Sequence, residues 1–539
     1  MTVDQSGENV LFVADGEYME AHVQIRYQGD PERLAWLIPL PAEPEITVGS
    51  EPLFRALLEA SRPIFGLRTT VMHCDGSEDT REDQGCGGSF DDLDTAGGAG
   101  QASAESEGMD DAIGRTVGSF EVTLLEPTGV DELVGWLDEN AFDLPERSAE
   151  LLEPYVRQGA VFAALRLRPG AGVQEIHPVV FRYRGTRPAI PLQLTAVAAT
   201  TDMRVRVLIL GEGRAVPSNF RHVELNQLRL HWPSLVTNYE SVVSRAVDET
   251  GDGLGFVTEY AGNSAVVDRG RVFDDAWNAE AFAGLGAAGV LAELQAQGLA
   301  DCSSGACSFS HPLLLPLLQR HLPAPQAQDE RRFYACAECI EDSSPATDFD
   351  TEAFAEDYQA RIVTPGAQAR ALLERHPYLT RMMTLISPEE MTVDPVFHLQ
   401  SELPDVDRER WAERVVPCMG KATFHLPDGR QLLEPGPFEP WPGTDRPLPY
   451  AERIEMLPER GQPHLVSSAS ARIDAAVAEL NAERSQAAAP TNDGSAGGSI
   501  ADDGGLDCAV GRRLGGQNFW LALSCLWLFY RRGALRRLG

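Results

Sequence analysis

The apolar residues of this chain change their spacing near residue 235, and that change limits the architectures open to it. Before it, period-two patterns dominate. In Tyr18–Tyr27, Ala21, Val23, Ile25 and Tyr27 alternate with His22, Gln24 and Arg26, as in a strand with one buried face. Asn9–Ala14 precedes it across Asp15-Gly16, a hairpin turn signal. Leu34–Leu40 is an apolar run closed by Pro39 and Pro41, and Ser50 stands as the N-cap of a helix with Pro52 in its first turn and Leu53, Leu57 and Leu58 on one side. Strands are expected at Phe120–Leu125, Val161–Arg168, Val179–Arg184, Leu192–Ala199 and Arg204–Leu210, with helices at Val130–Leu137 and Ser148–Val156. Most connections are too short for helical crossovers, which predicts an antiparallel or mixed sheet. Beyond residue 235 the spacing predicts helices at Leu235–Val247, Phe273–Leu299, Phe309–His321, Ala367–Glu374 and Ala469–Glu483.

The expected fold is therefore α+β: an N-terminal half of mainly antiparallel or mixed β-sheet with a few helices, a mainly helical C-terminal half, and one C-terminal transmembrane helix. The expected divisions are a β-rich start at 1–74, an acidic insertion at 75–118, a β-rich continuation at 119–265, a mainly helical region at 266–484, a flexible linker at 485–507 and a tail at 508–539. The insertion, rich in Gly, Ser, Ala, Asp and Glu from Asp75 to Asp111, cannot bury enough apolar surface to offset its ordering entropy and is expected to be disordered.

The tail carries the membrane expectation. Residues Leu514–Tyr530 read LGGQNFWLALSCLWLFY, with Arg512 and Arg513 before them and Arg531, Arg532, Arg536 and Arg537 after them. A span needs roughly 17–25 apolar residues, so this run sits at the short limit. The heavier arginine cluster on its C-terminal side predicts a cytoplasmic end, which puts the bulk outside. The Gly/Ser-rich stretch before it reads as a flexible stalk. No apolar leader follows Met1, so an export signal is expected upstream of it. The order of Cys508, a Gly-containing spacer, a short apolar run and terminal arginines resembles the C-terminal sorting tags of myxobacterial surface proteins. That resemblance implies a membrane protease that cuts near Cys508 and release to the outer surface. Ala509 stands where such tags usually carry Ser.

Several blocks of the body are similar to one family. VDQSGENVLF (Val3–Phe12), AHVQIRYQGDPERLAWLIPLP (Ala21–Pro41), IPLQLTAVAAT (Ile190–Thr200), FVTEYAG (Phe256–Gly262) and LTRMMTLISPEEMTVDPVF (Leu379–Phe397) occur in the order seen in the bacterial domain-of-unknown-function family numbered 2330. The resemblance spans roughly residues 3–410. It implies a leader and a short Cys-containing stretch ahead of the VDQ run, and it brings no activity.

The net charge of −36 excludes a nucleic-acid footprint and favours cationic ligands, although solubility alone accounts for such a charge. Cys302-x4-Cys307 and Cys336-x2-Cys339 suit four zinc thiolates, two disulfides or a redox C-x-x-C; an extracytoplasmic setting favours disulfides. Cys74 and Cys86 are expected to close a small loop, and Cys418 is assigned to the missing leader cysteine. Asp248, Thr250, Asp252 and Glu259, with Gly253, reproduce part of a calcium loop. Gly255 and the strand-like Val257–Tyr260 count against that reading. Nucleophile and phosphate-loop motifs are absent, and most of the histidines read as surface or turn residues. No cofactor is expected. The functional expectation is a cell-surface-anchored, extracytoplasmic binding or structural module without catalysis, with an extracytoplasmic hydrolase and a calcium- or zinc-dependent module as alternatives.

Overall fold

The computed structural model describes residues 5–25, 34–72, 113–140, 142, 148–326, 328–442 and 447–487. The chain divides into a unit spanning Met1–Ala488 and a second, Ala489–Gly539, which lies outside the described residues. The spine of the first unit is a ten-stranded mixed sheet. Its strands lie in the order His464–Ser468, Ala451–Met456, Arg221–Leu225, Gly255–Asn263, Tyr378–Ile386, Ala199–Gly211, Gln5–Asp15, Tyr18–Ile25, Val179–Arg184 and Glu45–Val48.

The first hairpin forms where the alternation places it. Asp15 pairs with Tyr18 across Gly16, whose φ of +63° is the left-handed conformation that glycine adopts without a Cβ penalty. Gln5–Asp15 also runs parallel to Ala199–Gly211, which makes it an interior strand covered on both faces. Val10 and Phe12 enter the main core, shared with a four-stranded antiparallel sheet of Ala35–Leu40, Val161–Leu167, Phe120–Leu125 and Ile113–Val117. Leu11 and Val13 face the other way, onto the helices Glu51–Ala60 and Thr364–Arg375. Ser50 caps the first of these, its hydroxyl accepting the Leu53 N–H at 3.3 Å. A third sheet joins Ile64–Val71 in parallel to Glu409–Val416, followed by Thr423–His425 and Gln431–Leu433.

Glu8 sits on this interior strand, 6% exposed, with its Oε2 lacking a hydrogen-bond partner. Burial pushes its carboxyl up to about 7. Between pH 4.5 and 7 the unfolded chain therefore releases a proton that the folded chain keeps, and stability falls as pH rises through that window. We expect Glu8→Gln to gain about 3 kcal/mol at pH 8 and nothing at pH 4, read from urea midpoints at the two pH values. Equal effects at both would rule out a protonated native Glu8.

Three expectations need correction. The C-terminal half is not mainly helical: it contributes Tyr378–Ile386, Glu409–Val416, Ala451–Met456 and His464–Ser468 to the sheets. Tyr378–Ile386 is buried along almost its whole length, so its sequence lacks the alternation that marks a one-faced strand. The long helix expected over Phe273–Leu299 breaks into the turn Ala279–Phe282 and the helix Ala287–Ala296, because Gly284, at φ +73°, reverses the chain between them. Leu192–Ala199 likewise opens as the helical turn Leu192–Thr195 before its strand begins at Ala199.

The membrane-spanning, single-pass architecture is also overturned among the described residues, where no helix is long and apolar enough to cross a membrane. The longest, Ser470–Ala487, carries Arg472, Asp474, Glu479, Glu483 and Arg484, and its buried apolar stripe is Ile473, Ala476, Val477 and Leu480. The segment Leu514–Tyr530, Cys508, the arginines Arg531, Arg532, Arg536 and Arg537, residues 488–507 of the linker, residues 75–112 of the insertion, and Cys74 and Cys86 lie outside the described residues. Ile113–Val117, at the end of the stretch assigned to the insertion, is a strand.

Candidate functional site

A cleft of about 1150 Å³ opens between two strand edges and a group of helices. One wall is Glu45–Val48, the outermost strand of the ten-stranded sheet, and beside it Ile113–Val117, the outermost strand of the four-stranded antiparallel sheet. The facing wall is a continuous helical stretch. It runs as Thr351–Tyr358, then a π-helical turn Gln359–Val363, then Thr364–Arg375. Pro365 explains the π turn: it offers no N–H to the preceding turn, and its ring forces the backbone ahead of it to widen. The turn presents Gln359 and Ala360 to the cleft while Arg361, Ile362 and Val363 point into the protein. Such turns recur at functional sites.

The lining is apolar at its base and acidic at its rim. Ile46, Val48, Val117, Ala279, Ala355 and Pro365 supply the apolar surface, and Glu280, Glu352 and Glu356 are its exposed carboxylates. Among the described lining residues none is a histidine, cysteine, serine, lysine or arginine. The site can therefore enclose and orient a ligand, with the hydroxyls of Thr47, Thr116, Thr351 and Thr364 among the polar groups beside its carboxylates.

A polar brace behind the cleft fixes its two walls together. Glu175, 5% exposed, receives the Arg361 Nη1–H at 3.3 Å and a closer contact from Arg320 Nη2. Next to it His177 Nε2 accepts the Ser119 N–H at 3.2 Å while Nδ1 lies 2.8 Å from the Pro178 carbonyl, which fixes the neutral tautomer. Gly118 lies against this ring. Its φ is +59°, and an added Cβ would stand 2.2 Å from His177 Nε2, so both conformation and space require glycine. Burial holds His177 down to about 4.

The calcium-loop residues are not brought together. Asp252 is taken by Arg221, whose Nη1–H reaches both carboxylate oxygens at 2.6 and 2.7 Å, and it also accepts from Thr250 and from the Leu254 N–H. Asp248 ends the helix Tyr239–Asp248. Glu259 is buried on Gly255–Asn263 and accepts the Arg381 Nε–H at 2.5 Å. The loop spacing was readable locally, whereas the arginines that neutralise it come from other strands. The four cysteines form two disulfides, Cys302–Cys307 and Cys336–Cys339, not a thiolate tetrad, and Cys418 is disulfide-bonded as well.

Four histidines depart from a surface reading, since His22, His177, His222 and His311 are buried. His222 meets Glu224 and Glu455 within 4.8 Å, because His222 pairs directly with Glu455 and Glu224 lies two residues along the same face. Arg453 occupies this group, contacting Glu455 closely and Glu224 at 3.8 Å, and Arg214 Nη2 lies 3.4 Å from the ring. Two guanidinium groups already balance the two carboxylates, as in a structural ion-pair lattice.

The same strands carry a family signature. Residues 1–397 match the family model described as "Uncharacterized protein conserved in bacteria (DUF2330)". The chain belongs to this family. The DUF2330 match contains every lining residue of the cleft and both fully described disulfides, whereas Arg453 and Glu455 lie beyond it. No curated protein matches this DUF2330 chain. Two crystal structures of a mutated baculovirus P35 after caspase cleavage are similar to part of it, at 11% and 10% identity. They cover 41% and 42% of this chain and 76% and 80% of their own, each with a TM-score of 0.23. A likeness that distant carries no argument about this DUF2330 protein.

Proposed function

We propose that this DUF2330 protein is an exported, non-catalytic binding module whose cleft takes an apolar ligand bearing a positive charge. The observation that carries this reading is the lining itself: an apolar base, a rim of Glu280, Glu352 and Glu356, and no cationic side chain among the described lining residues. The chain's charge of −36 supports the same preference, since its field concentrates cations near the surface. Export is supported by the disulfide-bonded state of all five cysteines among the described residues, a state that persists outside the reducing cytoplasm.

The test is calorimetric titration of the full chain with octylamine and, separately, with octanoate, two probes of matched apolar length and opposite charge. Octylammonium is expected to bind and octanoate not. Glu352→Lys, at an exposed position, is expected to weaken octylammonium binding by about tenfold, and Ala355→Trp to remove it by filling the cleft. Equal binding of the two probes, or an unchanged affinity in Glu352→Lys, overturns the charge preference. Full binding by a folded Ala355→Trp protein overturns the cleft.

A further inference from the structure

We propose that the Cys336–Cys339 disulfide is redox-active and exchanges with substrate dithiols, a chemistry separate from the binding cleft. The two disulfides differ in the ways that decide reactivity. Cys307 is 1% exposed within the helical core, and Cys302 packs partly buried against the same cluster. By contrast Cys339 is exposed and Cys336 half-buried, so a thiolate from solvent can reach the Cys339 sulfur.

The backbone favours cleavage in that direction. Cys336 separates the short helices Glu330–Ala335 and Ala337–Glu341, and its Sγ accepts the Cys339 N–H at 3.1 Å. That donor stabilises negative charge on Cys336, and a better-stabilised thiolate is a faster leaving group. Opening the bond does not release the surrounding chain. Phe333 and Tyr334 on one side and Ile340 on the other are 1%, 2% and 0% exposed, so the core holds both helices whatever the state of the disulfide. The bond also closes a loop with only two intervening residues, where chain-entropy stabilisation is smallest, so a purely structural role gains little from it.

The exchange balances as follows. A substrate thiolate attacks Cys339 Sγ, forming a mixed disulfide, while the Cys336–Cys339 bond breaks and its electron pair leaves on Cys336. The second substrate thiolate then attacks its own half of the mixed disulfide and expels Cys339. The substrate leaves as a disulfide, two electrons stay on the protein dithiol, and the two thiol protons go to the cysteine thiolates or to water. A small disulfide restores the starting state by the reverse exchange. The chain around the bond carries Glu338 between its cysteines, Glu341 and Asp342 after them and Arg331 and Arg332 before them, with Asp329 and Glu330 ahead of those. The acidic excess favours cationic thiols over anionic ones.

The test uses the folded full-length protein with cysteamine, a cationic thiol, and with glutathione, an anionic one. Differential alkylation and mass spectrometry read each cysteine pair. Cysteamine is expected to open Cys336–Cys339 about tenfold faster than glutathione does at low salt, with Cys302–Cys307 still oxidised and the circular dichroism unchanged. With cystamine, a folded Cys336→Ser protein is expected to retain an adduct on Cys339 that the reduced wild-type protein expels. Resistance of Cys336–Cys339 until urea unfolds the chain, or opening of Cys302–Cys307 first, overturns the proposal. Faster exchange with glutathione overturns the assigned substrate charge.

Discussion

Between pH 6.5 and 4.5 the protein is expected to lose about 3 kcal/mol of stability for each pH unit. The cause is three buried histidines. Burial holds His177 down to about 4, and His222 and His311 to about 3, with nearby arginines adding to the effect. The geometry agrees with these directions. A second proton on His177 Nε2 would face the Ser119 N–H at 3.2 Å, and one on His311 Nδ1 the Leu313 N–H at 3.2 Å. On His222 Nε2 it would face the Arg214 guanidinium at 3.4 Å. Each site sets donor against donor. Below pH 6.5 the unfolded chain takes up protons that the folded chain refuses, so each histidine costs about 1.4 kcal/mol per unit. Glu8 works in the opposite sense over pH 7 to 4.5 and cancels about one of the three. Urea midpoints measured at half-unit steps test this. A flat profile from 6.5 to 4.5 would show that these rings titrate normally, whereas His311→Gln should remove about a third of the histidine slope.

Arg381→Met is expected to cost about 3–5 kcal/mol, read from urea or guanidinium unfolding. Arg381 and Glu259 have side chains only 4% and 1% exposed. Beyond that pairing, Arg381 Nη1–H donates to the Leu58 carbonyl at 2.7 Å and reaches Ser61 Oγ at 3.4 Å. Removing the guanidinium leaves the buried Glu259 carboxylate without its direct ion-pair partner, with Arg206 as a remaining nearby positive charge. The pair itself contributes much less than that figure, because burying both ions is costly. Glu259→Gln combined with Arg381→Met should therefore recover most of the loss. A double variant as unstable as the single one would place the cost in packing instead of in stranded charge.

How much of this was legible in the sequence depended on distance along the chain. The hairpin through Gly16, the Ser50 cap and the strand Val179–Arg184 follow from near-neighbour patterns, and they form where those patterns lie. Tyr378–Ile386 did not declare its role, because both its faces are covered and Thr380, Arg381 and Thr384 are buried along with its apolar residues. The cleft had no local signal at all. It is assembled from residues 46–48, 116–118, 279–284 and 351–368, none of which reads as a site alone. The calcium-loop spacing shows the converse. It was visible in the sequence, yet Arg221 and Arg381, remote in the chain, had already claimed its carboxylates.

The pairing of Ile64–Val71 with Glu409–Val416, and of Arg221–Leu225 with Ala451–Met456, has a consequence for how this molecule is made and where it can be cut. Neither early strand meets its partner until several hundred residues later, so folding waits for nearly the whole chain, and local contacts offer little shelter meanwhile. The family match stops at residue 397, inside that wait. A polypeptide ended there would leave Ile64–Val71 with no neighbour and Arg221–Leu225 with one bare side, both open templates for other chains. The inherited segment and the smallest self-sufficient folding unit are thus different lengths, and the longer one sets what can be produced intact.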